Sequence, residues 1–173
     1  MGIQHKLLGL EWTVAALDGD GGVLALYEQL ARQAGAARFW SSHHGGTGLE
    51  RLKERLPDVL LLELCLPGLD GLTLLERLRA DEGLQHMHVV VISSSPQLKG
   101  LRPQLQTLGV EEVLSKPFDP FRLLTHLVAQ RALFQQALER VMAQQAQGRL
   151  MKGSPQAPGT VQVRRGELPF VWG

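Results

Sequence analysis

Residues 57–71 read PDVLLLELCLPGLDG, and they place a charged side chain directly after an unbroken apolar run. Val59 to Leu62 are four apolar residues in succession, Glu63 follows them, and Pro67 with Gly68 marks a turn. A short apolar run without polar alternation is typical of a strand covered on both faces, as in a parallel sheet between helices. The stretch therefore predicts a buried strand with a carboxylate at its end.

The same order of strand, turn and helix recurs along the chain. Apolar runs predict strands at 12–17, 37–41, 59–62, 89–92 and 113–116, and each is followed by a segment with helical spacing of apolar residues. In the fourth helical segment Gly100 and Pro103 are expected to break or shorten the helix. The last helix is predicted to start at Asp119 and Pro120, a suitable cap and first residue. Five β-α units predict a doubly wound α/β fold with right-handed crossovers.

The bulk composition fits one globular domain with appendages. The chain has 173 residues, of which 44% are hydrophobic and 20% charged, and its net charge is +1. This charge gives no sign of a nucleic-acid or anionic-membrane partner. Cys65 is the single cysteine and is expected to be a small core residue. Without a disulfide, a signal-peptide pattern or a run long enough to cross a bilayer, a cytoplasmic location is expected.

The domain boundaries follow from where the β-α pattern stops. We expect an N-terminal arm at 1–11, the α/β domain at 12–130, an extension of the last helix at 131–150, and a linker with a strand-like tail at 151–173. The linker KGSPQAPG is rich in small and turn-forming residues, and the tail TVQVRRGELPFVWG alternates and carries aromatics.

Four polar side chains fall at predicted strand ends. They are Asp18, Glu63, Ser93 and Lys116, and each lies at or just past the end of its own predicted strand. Ligands of doubly wound folds gather at the carboxyl edge of the sheet. Two carboxylates, a hydroxyl and an ammonium at that edge have the chemistry to hold a phosphoryl group. A lysine before proline also allows a cis peptide bond at Lys116, which would aim the side chain inward.

Three segments give a specific resemblance. PDVLLLELCLPGLDGLTLLERLRAD, HVVVISS and EEVLSKPFDP resemble the receiver domain of two-component response regulators, over about residues 12–130. The resemblance implies a flavodoxin-like fold with a five-stranded parallel sheet in the order 2-1-3-4-5. In that family a histidine kinase phosphorylates a strand-end Asp, an acidic pair binds magnesium, and a Ser or Thr and a Lys contact the phosphoryl group. An aromatic residue on the fifth strand changes rotamer.

Carried over by position, the hydroxyl is Ser93 and the lysine is Lys116, whereas the phosphoacceptor position holds Glu63. The aromatic switch position holds Val113. A glutamate carries its carboxylate about 1.5 Å further into the pocket than an aspartate. A misplacement of about 1 Å can slow a reaction on the order of 100-fold. We therefore expect no phosphorylation, and a standing anion paired with Lys116 instead.

The acidic pair is also incomplete. The carboxylates after the first strand are Asp18 and Asp20, separated by Gly19, so only a weak magnesium site is expected from these two and no other cofactor. Two interpretations of the Glu63–Lys116 pair stay open. It is either a structural ion pair or a mimic of the phosphorylated state that locks one signalling conformation, and the loss of the aromatic at Val113 speaks against the second.

Two other functions are alternatives. One is a receiver that is phosphorylated on an unusual acceptor in a phosphorelay. The other is an enzyme, because the DGDGG segment at 18–22 also resembles the first motif of haloacid-dehalogenase-like phosphatases, with Asp18 and Asp20 as the catalytic carboxylates. The usual Thr after that motif is Gly22, so the enzyme is the weaker alternative and none is expected.

The last helix predicts a partner interface. Leu127, Phe134 and Val141 lie a heptad apart, and Leu124 and Leu138 form the companion stripe. We expect this helix to pair with a second copy, giving a homodimer, or with a helix of a signalling protein or histidine kinase-related partner. The alternative is a helix that folds back on its own domain.

Overall fold

The structure is a computed structural model that describes the backbone of residues 11–151 and the side chains of residues 11–144. Strands and helices alternate along it. The strands are β1 Thr13–Leu17, β2 Arg38–Ser42, β3 Val59–Leu62, β4 His88–Ser93 and β5 Glu112–Ser115. The helices are α1 Gly21–Gln33, α2 Gly45–Arg55, α3 Gly71–Ala80, α4 Leu98–Thr107 and α5 Pro120–Met151. The predicted succession of five β-α units is confirmed.

The five strands form one parallel sheet in the order β2-β1-β3-β4-β5. The register keeps the carboxyl ends level, because Leu17 lies opposite both Ser42 and Leu62, and Leu62 lies opposite Val91. The order 2-1-3-4-5 is the one that the resemblance implied. It puts β1 and β3 side by side in the centre, so residues after these two strands are neighbours.

Each face of the sheet has its own apolar core. Alternate strand residues such as Leu60 and Leu62 pack against α2, α3 and α4. The residues between them, such as Leu61, pack against α1 and α5. Both faces are covered, which explains why the strands are continuously apolar rather than alternating.

The loop between β3 and α3 is fixed by a close backbone approach. Asp70 caps α3 by accepting a hydrogen bond from the backbone N–H of Thr73 at 3.0 Å. The backbone N–H of Gly71 donates to the carbonyl of Leu64 at 2.8 Å. A Cβ at Gly71 would lie 2.3 Å from the carbonyl oxygen of Glu63, so only glycine fits there. This contact holds the backbone of Glu63 in place.

Helix α4 differs from its prediction. It runs unbroken through Gly100 and Pro103 over ten residues, the same number as α3. Both residues lie on its exposed side, where water can bind the carbonyl that a proline leaves unpaired. The expected break is therefore wrong.

Helix α5 starts as predicted, with the Asp119 side chain accepting from the backbone N–H of Phe121 at 2.9 Å. The peptide bond between Lys116 and Pro117 just before it is cis, as the sequence suggested. Across residues 11–151 no helix has the length and apolar character needed to cross a bilayer. The predicted linker and strand-like tail, together with residues 1–10 of the arm, lie outside the described residues.

Candidate functional site

The carboxyl edge of the sheet brings the four predicted polar residues together. Asp18 follows β1, Glu63 follows β3, Ser93 ends β4 and Lys116 follows β5. Because the strands are parallel and level, their last residues meet at one edge. The side chains of Asp18, Glu63 and Ser93 are buried, with relative exposures of 2%, 3% and 1%. They form a single polar site that we call the Glu63 pocket.

Lys116 bridges the two carboxylates of this pocket. Its Nζ lies 2.6 Å from Oδ2 of Asp18 and 2.8 Å from Oε2 of Glu63. The ammonium therefore stands between two buried negative charges as their shared counter-ion. Such charge-assisted hydrogen bonds are short and strong.

The Glu63 carboxylate accepts hydrogen bonds from four residues. Oε1 accepts from the hydroxyl of Ser93 and from the backbone N–H of Cys65, the latter at 3.1 Å. Oε2 accepts from Lys116 and from the backbone N–H of Ser94, the latter at 3.2 Å. Both oxygens are thus held by donors that approach from three different strands and loops.

These contacts fix the charge state of the pair. Burial alone would raise the pKa of Glu63, but the hydrogen bonds from Lys116, Ser93 and the Cys65 backbone outweigh it, so this pKa lies below its usual range. Burial alone would lower the pKa of Lys116, but the bonds to Asp18 and Glu63 raise it instead. Glu63 and Lys116 are both charged at neutral pH.

Asp18 has two further donors. The backbone N–H of Asp20 donates to its Oδ1 at 3.0 Å, and the hydroxyl of Tyr27 approaches its Oδ2 at 3.4 Å. Tyr27 is fully buried, and burial together with the charge of Asp18 raises the pKa of its phenol. Sequence reasoning did not assign Tyr27 to this site, although a buried tyrosine usually finds a hydrogen-bond partner for its hydroxyl, and that tendency is the signal that could have found it.

The family model for the response regulator receiver domain matches residues 14–128, more than half of the chain. The chain belongs to the response regulator receiver family. It contains a receiver domain of two-component signal transduction.

Named relatives share this receiver domain but are much longer proteins. Response regulator PleD of Caulobacter vibrioides is 32% identical over 109 residues, which are 62% of this chain and 23% of PleD. Protein-glutamate methylesterase/protein-glutamine glutaminase 5 of Anaeromyxobacter dehalogenans is 42% identical over 71 residues, 40% of this chain and 18% of that protein. The chain therefore matches less than a quarter of the length of either relative.

A solved structure agrees with the fold. The crystal structure of a putative response regulator from Chloroflexus aurantiacus superposes with a TM-score of 0.62 and 25% identity. The superposition covers 70% of this chain and 98% of the other.

The receiver family implies magnesium, and the residues present do not fit it. Asp20, needed as the second carboxylate, accepts at its Oδ1 from the backbone N–H of Gly22 at 2.8 Å and caps α1 as an exposed residue. Both carboxylate oxygens of Asp18 already have partners, because Oδ2 binds the Lys116 ammonium and Oδ1 accepts from the backbone N–H of Asp20. Among the described residues no group of three or more His, Cys, Asp or Glu side chains is arranged to hold a metal ion.

Val113, at the aromatic switch position, lies buried on β5 in the core beneath α4. Its backbone carbonyl accepts a hydrogen bond from the Arg102 guanidinium of α4 at 3.3 Å. A branched aliphatic side chain in a core has no polar tip that could move between a buried and an exposed position. The switch position therefore holds no aromatic side chain, as the sequence shows.

The last helix lies on its own domain. Leu127 is fully buried in the core that α1 shares with α5, and Leu124 and Phe134 pack against that core. Leu138 and Val141 are buried as well. The first part of the stripe therefore folds back on its own domain, which was the alternative, whereas pairing of the extension with a second copy or a partner helix stays a prediction.

Two features of the pocket escape sequence reasoning. The backbone N–H groups of Cys65 and Ser94 bind Glu63, and a backbone donor leaves no mark in the sequence. The side chain of Cys65 is exposed, which corrects its prediction as a core residue. It points outward because the chain has already left the sheet at Glu63 and turns toward α3.

Proposed function

We propose that this receiver domain transmits signals by protein–protein contact without being phosphorylated, because Glu63 supplies a permanent anion in the phosphoacceptor pocket. The observation that carries the proposal is the set of four residues that donate hydrogen bonds to the Glu63 carboxylate. Two of them, the hydroxyl of Ser93 and the ammonium of Lys116, match the groups that contact a phosphoryl group in the resembling family. The carboxylate occupies them instead.

Phosphorylation would have to undo this arrangement. A phosphoryl donor would need Lys116 and Ser93, yet both are bound to the carboxylate that would attack it. The missing carboxylate at Gly19 and the capping role of Asp20 leave the incoming charge without the metal that normally offsets it. The pocket therefore supports a standing ion pair rather than a transfer reaction.

The same contacts favour a mimic of the charged state over a purely structural ion pair. A buried ion pair on its own gives little net stability relative to apolar residues. Here the anion also draws in the Ser93 side chain and the Ser94 backbone after β4, the segment that leads into α4. Held by Glu63, this segment keeps one conformation, which a kinase-related or other signalling partner in the cytoplasm would recognise.

The phosphatase alternative has less support. It requires Asp18 and Asp20 to face one substrate, whereas Asp20 turns to the start of α1 and Asp18 is held by Lys116.

A partner on α5 would have to use the exposed side of that helix. Phe121, Val128 and Leu133 lie there with exposures of 72%, 49% and 48%.

The test is to treat the protein with acetyl phosphate and magnesium and to measure its intact mass. The expected result is no added phosphoryl group on the wild type. A Gly19→Asp/Glu63→Asp double variant restores the family's acidic pair and acceptor. A Cβ at Gly19 would lie 3.7 Å from Cδ of Pro67, an ordinary contact, so the first change is tolerated. The variant is expected to gain one phosphoryl group, and a gain by the wild type would contradict the proposal.

A further inference from the structure

A buried tyrosine on α1 reaches the acidic side of the Glu63 pocket. Tyr27 has no solvent exposure, and its hydroxyl donates to Oδ2 of Asp18 at 3.4 Å. Burial raises the pKa of this phenol, and the negative charges of Asp18 and Glu63 raise it further. The hydroxyl therefore stays protonated and acts as a donor, and a donor that water cannot reach needs an acceptor inside the protein.

The oxygen that accepts from Tyr27 is the same one that binds Lys116. Oδ2 of Asp18 lies 2.6 Å from Nζ of Lys116, and this Nζ lies 2.8 Å from Oε2 of Glu63. The other oxygen of Asp18, Oδ1, accepts from the backbone N–H of Asp20 at 3.0 Å. If Tyr27 no longer donated, Asp18 would depend more strongly on Lys116, and the ammonium would be shared less evenly with Glu63.

Tyr27 also contacts the segment that follows Lys116. Its ring and the ring of Phe118 have their centroids 6.0 Å apart and are tilted by 32°, which is the geometry of an aromatic pair. Phe118 stands two residues after Lys116 and just before α5. Tyr27 belongs to the core between α1 and α5, and Phe118 packs against that core, whereas Val113 lies in the core on the other face of the sheet.

We propose that Tyr27 is a positioning residue of the Glu63 pocket and that, together with Phe118, it connects this pocket to the α1 and α5 side of the domain. Its hydroxyl holds Asp18 so that one ammonium serves both carboxylates, and its ring transmits a displacement of Asp18 to the start of α5 through close packing. The proposal rests on the proposed function, because it concerns how the charge of Glu63 is held. Such coupling is reciprocal, so Tyr27 must itself respond when Glu63 loses its charge.

The first measurement is a carbon NMR titration of the Glu63 carboxyl in the full chain and in Tyr27→Phe. This change removes the hydroxyl and keeps the ring, so a tyrosine that served only for packing would leave the titration unmoved. The carboxyl is expected to titrate at a higher pH in the variant than in the wild type, because Lys116 is drawn toward Asp18. Coincident titration curves would overturn the proposal.

Thr13→Val is the matched control for the loss of a buried hydroxyl. The Thr13 hydroxyl also donates to an aspartate, Asp58, at 2.9 Å, but at the opposite end of β1. This variant should leave the Glu63 titration unchanged. A shift as large as that of Tyr27→Phe would show that the effect is not specific to the pocket, and it would count against the proposal.

The second measurement leaves Tyr27 in place, so it decides the matter even if Tyr27→Phe does not fold. Tyr27 is the single tyrosine of the chain, and carbon labelling of tyrosine therefore reports on this residue alone. Its ring signals are expected to shift in Glu63→Gln and in Phe118→Leu, and to stay in place in Glu54→Gln, which changes an exposed residue of α2. Ring signals that ignore Glu63→Gln would overturn the proposal.

The two proposals fail in different ways. If the wild type gains no phosphoryl group from acetyl phosphate and Tyr27→Phe does not move the titration of Glu63, the role of Tyr27 is removed and the proposed function stands. If the wild type does gain a phosphoryl group, the proposed function is contradicted whatever the NMR signals show, and the role of Tyr27 falls with it as a support of a standing anion.

Discussion

The two edges of the sheet handle buried titratable groups in opposite ways. At the carboxyl edge, Glu63 and Lys116 are buried as a charged pair with short contacts to each other and to their neighbours. At the amino edge, His88 of β4 and His126 of α5 face each other with their Nε2 atoms 2.8 Å apart and their rings stacked. Burial, with further contributions from His126 and Arg79, lowers the pKa of His88 to about 3.

The difference shows that burial alone does not set the charge of a group. Burial disfavours the charged form at both edges. At Glu63 the hydrogen bonds from Lys116, Ser93 and the Cys65 backbone outweigh this effect and lower the pKa, so the carboxylate stays ionised. At His88 no comparable acceptor opposes it, so the imidazole stays neutral, and one ring donates to the other. The carboxyl edge therefore holds a charged carboxylate, whereas the histidine pair at the amino edge stays neutral. Four predictions test this difference.

The largest effect is expected from Lys116→Met. It leaves Asp18 and Glu63 buried side by side without their counter-ion, and breaking a buried ion pair in this way is expected to lower the free energy of unfolding by about 3 to 5 kcal/mol. Urea unfolding at pH 7 measures this loss. Lys99→Met, on the exposed side of α4, is the control and should stay within about 0.5 kcal/mol of the wild type. A small effect of Lys116→Met would show that the pair is not what holds the carboxylates.

Glu63→Gln is expected to lower the free energy of unfolding by about 2 kcal/mol at pH 7, because an amide removes the charge and one acceptor from four donors. The folded-state pKa of Glu63 is lowered, so the stability it contributes is present above the unfolded value of about 4.5 and is lost as the pH falls below it. The gap between wild type and variant should therefore close in acid. A gap that stays constant from pH 7 to pH 3 would mean that Glu63 carries no charge in the folded protein.

The histidine pair predicts a different pH dependence. The folded-state pKa of His88 is lowered, so its contribution is fully present above the unfolded pKa of about 6.5 and falls as the pH drops toward 3. At pH 5 the expected loss is about 2 kcal/mol. His126 has a lowered pKa for the same reason, burial, although Glu112 and Glu111 oppose it.

Urea unfolding of His88→Phe between pH 7.5 and 5 checks this expectation. The variant should lose less stability over this range than the wild type. His44→Gln, an exposed residue at the start of α2 whose side chain makes no capping hydrogen bond, is the control and should follow the wild type. Parallel curves for wild type and His88→Phe would place the acid sensitivity elsewhere.

The smallest effect is expected from Asp20→Ala. Loss of the cap on α1 should lower the free energy of unfolding by about 1 kcal/mol, with or without magnesium. Thermal unfolding in magnesium and in chelator measures it. Stabilisation of the wild type by magnesium that disappears in this variant would restore Asp20 as a metal ligand and weaken the account of the pocket.

The fold and the composition of the pocket were predictable because both depend on short-range patterns. Each of Asp18, Glu63, Ser93 and Lys116 stands next to an apolar run, and a parallel sheet brings such positions to one edge. The position of Glu63 could therefore be predicted, and so could its nearness to Lys116. The donors from Ser94 and Cys65 could not, because they are backbone groups.

Other features depend on contacts between distant elements. His88 and His126 are 38 positions apart and meet only because α5 packs across the start of β4. The helical stripe of Leu127 and Phe134 indicated an apolar surface but not which one, and the core shared with α1 proved to be the answer. The break expected in α4 failed because Pro103 lies on the solvent side of that helix, where a lost hydrogen bond matters little.

The central claim is that Glu63 is a resident anion bound to Lys116. A carbon NMR titration of the Glu63 side chain measures this most directly, with Lys116→Met as the comparison. The account predicts that the carboxyl titrates below the usual glutamate range in the wild type and above it once the ammonium is removed. A Glu63 pKa above the usual range in the wild type, unchanged by Lys116→Met, would contradict it.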